Sequence, residues 1–125
     1  VDVSQALPRV PAQTLGRASR ADFGRVWEAA EALNVAPGPE DYYLAGVVRT
    51  LRWLARQGHR TPVTRAVRSA MPEVNEAEYM AALAASRSTK LHPMRVGIAR
   101  GTVAVLGWLY HGQPEPALPA LSDAG

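Results

Sequence analysis

The chain has 125 residues and a mass of 13.4 kDa, a length suited to one hydrophobic core rather than two. Hydrophobic residues make up 47% and charged residues 20%, the balance of a globular fold. Cysteine is absent, which excludes disulfide scaffolds, cysteine-ligated zinc and thiol nucleophiles together. Of 14 basic residues 13 are arginine and only Lys90 is lysine, for a net charge of +3 and a pI near 9.8.

Residues 1–19 mix Pro, Ser, Gln and Arg without periodicity and read as an extended, flexible arm. Val1 to Arg20 has no apolar core and is broken by Pro8 and Pro11, so it does not read as a secretory signal. Ser19 caps a first helix, with Asp22 three residues on, and Phe23, Val26, Trp27, Ala30 and Leu33 form its apolar stripe. It should stop near Asn34, ahead of Pro37-Gly38-Pro39.

A second helix is expected from Pro39, with Glu40 and Asp41 at its positive end and Leu44, Val47, Leu51 and Leu54 facing inward. Gly58 is its expected stop. Thr61-Pro62 opens a predicted third, shorter helix to Met71, which Pro72 ends. Asn75 and Glu78 form a capping pair for a fourth helix to Ser86, and a fifth runs from Pro93 to His111. The expectation is an all-α protein: a compact bundle of about five helices over residues 20–112, an N-terminal arm at 1–19 and a loose C-terminal tail at 113–125. No run reaches the ~18 apolar residues of a membrane span.

Charge placement says more than net charge. Residues 1–41 carry −2, residues 42–71 carry six arginines and no acid, residues 72–86 carry −3, and the remainder carries +2. The arginine bias itself is what GC-rich codon usage in a bacterium or its phage would produce. Within the basic block, Arg49, Arg52 and Arg56 fall within about 60° of one another at helical period, with Tyr42 and Trp53 beside them. Arg60, Arg65 and Arg68 follow. Guanidinium groups beside exposed aromatics grip acidic protein surfaces or stack bases and bind phosphates. The bland account is that they pair with the acidic 22–41 and 73–78 segments of the same chain.

A helix-turn-helix through 61–86 is the specific form of the nucleic-acid reading, but Glu73, Glu76 and Glu78 would meet the phosphate rails. We therefore expect at most backbone binding without sequence preference.

The fifth helix is nearly all apolar. Gly97, Gly101, Ala104 and Trp108 align on one side, a face for close helix packing or for self-association as a homodimer. Arg100, Gly107 and His111 align on another, where Gly107 leaves room for a small anionic ligand or for a crossing loop. Residues 46–54 and 101–109 match at five of nine positions, which reads as two equivalent helices packed about a pseudo-twofold axis, or as chance.

His59, His92 and His111 are scattered, each near a predicted helix end, and no Glu-x-x-His, phosphate loop or nucleophile elbow is present. No metal site, cofactor or catalytic set is called for. The leading expectation is a small cytoplasmic helical interaction protein, binding an acidic protein surface through Tyr42, Arg49, Arg52, Trp53 and Arg56. The alternatives are a nucleic-acid binder using the same arginines and a ligand-binding protein or enzyme with a pocket at Arg100 and His111.

Overall fold

The computed structural model describes residues 2–35 and 41–119. Among them are five α-helices and no strand: α1 (Val3–Ala6), α2 (Arg20–Asn34), α3 (Tyr42–Leu54), α4 (Pro72–Ser86) and α5 (Pro93–Tyr110). No helix among the described residues is long and apolar enough to cross a membrane.

Helices α3 and α5 form the centre, with α4 packed on α5 and α2 on α3. Their approach is set by glycine. A Cβ on Gly101 would strike the Tyr43 carbonyl and the Val47 nitrogen, and one on Gly46 would strike the Ile98 carbonyl. At the same crossing the buried Thr50 and Thr102 hydroxyls lie 2.9 Å apart, each also reaching a carbonyl four residues back in its own helix, Gly46 at 2.7 Å and Ile98 at 3.1 Å. The two hydroxyl protons are thus shared among three oxygen contacts, and no buried hydroxyl is stranded.

The similarity of 46–54 to 101–109 therefore marks a real helix pair whose matched glycines meet. The matched Trp53 and Trp108, which such an axis would set against each other, form no ring pair among the described residues.

Helix α2 begins as expected, the Ser19 hydroxyl accepting from the Asp22 N–H at 3.0 Å. Phe23, Val26, Trp27 and Ala30 are all buried. The segment 36–40, with the expected Pro37-Gly38-Pro39 break and the Pro39-Glu40 start, lies outside the described residues. Asp41 caps α3, accepting from the Leu44 N–H at 3.0 Å.

Three of the expected helix boundaries need correction. First, α3 ends at Leu54, before Gly58. Its Schellman closure places Arg56 in the left-handed region at φ 62°, with Arg56 N–H to Trp53 carbonyl and Gln57 N–H to Arg52 carbonyl. An arginine occupies the seat that glycine usually fills.

Second, there is no helix at 61–71. Thr61, Val63, Thr64 and Val67 are β-branched and poor helix formers, and Thr61 bonds locally instead: its hydroxyl accepts from the Ala66 N–H and its N–H donates to the Ala66 carbonyl. Arg60 and Val67 make an antiparallel bridge, and Arg65 sits at φ 61°. Third, Pro72 does not end a helix. It opens α4 at the first position, where its missing N–H is harmless, so Asn75 and Glu78 lie inside α4 and are buried rather than capping it.

The N-terminal stretch is folded rather than a loose arm. Besides α1, residues Leu7–Arg9 and Ala12–Leu15 form 3-10 turns, and Val3, Ala6, Val10 and Leu15 join the core. Arg20 donates to the Leu7 and Val10 carbonyls, satisfying turn ends that lack partners of their own. At Gly16 (φ 58°) the chain passes so close to the end of α5 that a Cβ would strike the Leu109 carbonyl, to which the Arg17 N–H donates. At the other terminus, Pro116 is buried, Leu118 packs on the core, and Glu115 pairs with Arg25.

Candidate functional site

The arginine-bearing face of α3 is built differently from the expectation. Trp53 is 1% exposed, and its indole N–H donates to the Arg68 carbonyl at 2.8 Å, fastening the loop after α3 to the helix. Tyr42 is half-buried, packed where Gly97 of α5 leaves no side chain. Trp53 is therefore not an exposed stacking surface, and that part of the expected face is corrected, while Tyr42 stays partly exposed. Arg56, in its left-handed seat, is exposed beside Trp53 and Arg68 at a separate shallow depression.

Arg52 forms a two-pronged pair with Glu31 of α2, at 2.7 and 2.6 Å, and the Trp27 indole N–H adds a third bond to the same carboxylate at 3.0 Å. Burial works to raise the Glu31 carboxyl, but the Arg52 and Trp27 hydrogen bonds outweigh it and hold the group below its ordinary range. Here the acidic 22–41 segment does neutralise one arginine of the basic block.

Arg49 has no such partner. It reaches the Pro62 carbonyl at 3.3 Å, and burial, together with the like charge of Arg65, pulls its guanidinium below the ordinary arginine value. Among the described residues Arg60 and Arg65 hydrogen-bond only to backbone carbonyls, of Arg65 and Thr61 respectively. Among the described residues no carboxylate lies within ion-pair distance of Arg49, Arg60 or Arg65.

These side chains line one groove of about 520 Å³ between α3 and the loop, together with Asn34, Arg52 and His59. A smaller recess of about 130 Å³ shares Arg49 and Arg65 and extends the cationic lining to Arg95 on α5, beside the apolar Met94.

What holds the loop in place is Glu78. Only 3% exposed, its carboxylate accepts from the Val63 N–H, from the Thr64 N–H at 2.9 Å and from the Thr64 hydroxyl at 2.9 Å. A carboxylate bound by several N–H and O–H donors tolerates burial that a bare one does not. The signal was available in the sequence: Val74, Glu78 and Ala82 are four residues apart, which places Glu78 on the inward stripe of α4. The other two acids of this segment act separately. Glu73 is exposed in the first turn of α4, and Glu76 bonds to His111 at 2.9 Å.

Much of the Gly97, Gly101, Ala104 and Trp108 face is taken up inside the chain: Tyr42 sits over Gly97, the α3 backbone sits over Gly101, and Trp108 is 8% exposed, while Ala104 is half-buried. The expected ligand pocket at Arg100 and His111 is also corrected. Gln113 covers Gly107 as the chain turns back, its N–H donating to the Gly107 carbonyl, and His111 stacks on Tyr79 with ring centres 4.0 Å apart. Arg100 is exposed. The gap left by Gly107 is thus filled by a crossing loop.

Of the histidines, His92 caps the start of α5, its ring nitrogen accepting from the Met94 N–H, and His59 lines the cationic groove. No three His, Asp or Glu side chains gather as a metal site among the described residues. No protein-family model matches the chain, and no curated protein and no solved structure does either.

Proposed function

We propose that the chain is a small cytoplasmic helical interaction protein, an adaptor, regulator or assembly factor, that takes an acidic stretch of a partner protein into the groove between α3 and the 58–66 loop. The supporting observation is the charge imbalance there: Arg49, Arg60 and Arg65 converge on one groove with no carboxylate partner among the described residues. Arginine forks bind carboxylates in pairs, and arginine is among the residues that dominate protein interfaces. The recognition set thus moves from the expected helix face to Arg49 with Arg60 and Arg65, while Arg52 positions α2 at the rim through Glu31.

Nucleic acid is the alternative occupant. Base stacking gives single strands much of their affinity, and the burial of Trp53 removes the platform beside this groove. That reading therefore reduces to phosphate contacts with a steep salt dependence.

Fluorescence anisotropy separates the two, using a labelled Glu/Asp-rich peptide and a labelled mixed-sequence oligonucleotide. The acidic peptide should bind, and the Arg60→Ala, Arg65→Gly double variant should weaken it about tenfold, ~1.4 kcal/mol, with Arg9→Ala unchanged. Tighter oligonucleotide binding that collapses with salt favours nucleic acid. Binding of neither removes the groove as the functional site.

A further inference from the structure

A second cavity, unrelated to the cationic groove, lies at the start of α4. It measures about 210 Å³ and is bounded by Thr14 of the N-terminal 3-10 turn, by Ala70 and Met71 leading into α4, by Asn75 and Glu76 within it, and by Tyr110 at the end of α5. We propose that this cavity binds a small neutral molecule carrying an amide-type edge on a flat apolar body, the size of a nucleobase or a benzamide.

The carrying observation is Asn75. It is 7% exposed, and its amide oxygen is buried without a hydrogen-bond partner. Buried side-chain amides are ordinarily paired, so an unpaired one at a cavity wall calls for a partner that the chain does not supply. Of the neighbouring groups, the exposed Gln13 amide makes no hydrogen bond among the described residues and stands as a second amide at the rim. The Tyr110 hydroxyl donates to the Thr14 carbonyl at 2.5 Å, the Glu76 carboxylate holds His111, and the Asn75 backbone N–H donates to the Met71 carbonyl.

An amide offers one donor and one acceptor in a plane, and rotation about its terminal bond exchanges them at little steric cost. Its complement is another planar donor–acceptor edge, as in a carboxamide or a purine.

The rest of the wall fixes the class. No arginine or lysine lines the cavity and Glu76 stands at it, which disfavours an anion. Ala70, Met71 and the Tyr110 ring offer apolar surface to a flat body. The volume equals roughly seven waters at ~30 Å³ each, enough for one substituted ring and below the size of a drug-like ligand.

Heteronuclear NMR on the full chain tests this with benzamide and adenine as ligands and benzoate and toluene as controls. Benzamide or adenine at millimolar concentration should shift the amide signals of Thr14, Met71, Asn75 and Tyr110, and the controls should not. Asn75→Leu, which keeps the shape and removes the edge, should weaken binding at least about tenfold with the helical circular dichroism unchanged. If that variant does not fold, the shift map on the native chain decides alone. The proposal is overturned if neither amide compound shifts these signals, if the controls shift them equally, or if Asn75→Leu binds as tightly. A cavity that holds only water would give the first of these results.

Discussion

The α3–α5 crossing and the 56–71 loop share one helix, yet opposite means hold them. At the crossing, α3 presents Gly46, Val47 and Thr50, and the partner helix answers with Gly101 and Thr102, so backbones approach closely and the polar atoms satisfy each other. Toward the loop and α2, α3 presents Arg49, Arg52 and Trp53 to charged and irregular partners. There the loop is fixed by three donors to one buried carboxylate and by one indole N–H. The first region depends on shape and the second on a few charge-assisted hydrogen bonds. That difference explains why the unneutralised arginines collect around the loop, since a close-packed apolar crossing has no room for unpaired charge.

The sharpest way to break the comparison is at the crossing. Gly101→Leu drives a side chain into the α3 backbone, which cannot yield as a flexible side chain could, and should cost about 3 kcal/mol in denaturant unfolding. Glu78→Ala should come next, at about 2–3 kcal/mol, because it leaves the Val63 and Thr64 donors unmatched. Hydrogen exchange should then accelerate at those two amides while Thr102 to Leu106 stay protected. Equal loss of protection in both places would show that the regions are one cooperative unit.

Arg52→Met should cost about 1–2 kcal/mol by stranding Glu31. The pH dependence has a defined sign. Because the folded Glu31 carboxyl lies below its ordinary value of 4.5, its contribution is present above that value and is lost as the pH falls through the lowered one. The variant should therefore show a shallower loss of stability across that acid range, measured by thermal melts at stepped pH. The smallest effect should be a gain: Arg56→Gly relieves a left-handed arginine and should stabilise the fold by about 0.5–1 kcal/mol, raising Tm by a few degrees.

Most of the helical framework was legible, because it rests on local rules. Ser19, the Phe23–Ala30 stripe, Leu44 to Leu54 and the apolar α5 announce their helices through spacing and caps. Pro72 is ambiguous in sequence because proline is compatible with both the end of one helix and the first turn of the next. The 61–71 segment is not decided by its own residues because its local competition, hydroxyl against backbone, is settled by a carboxylate 14 residues from Thr64. Within the candidate site, helical spacing marks Arg49 but cannot carry Arg60 and Arg65, which lie beyond α3, where Arg60 to Arg68 only continue the basic block. The same spacing puts Trp53 on the outer face. Its inward position depends on a carbonyl from a loop whose path spacing does not specify.

The sequence alone determined the all-α class, the helical stripes and the concentration of positive charge at 42–71, since each follows from residue type and period. Tertiary structure decided which arginines are neutralised. Glu31 reaches Arg52 across 21 positions, and Glu78 turns inward to bind backbone rather than guanidinium. Electrostatic pairing depends on distance in space, and only the packed helices bring those groups within reach.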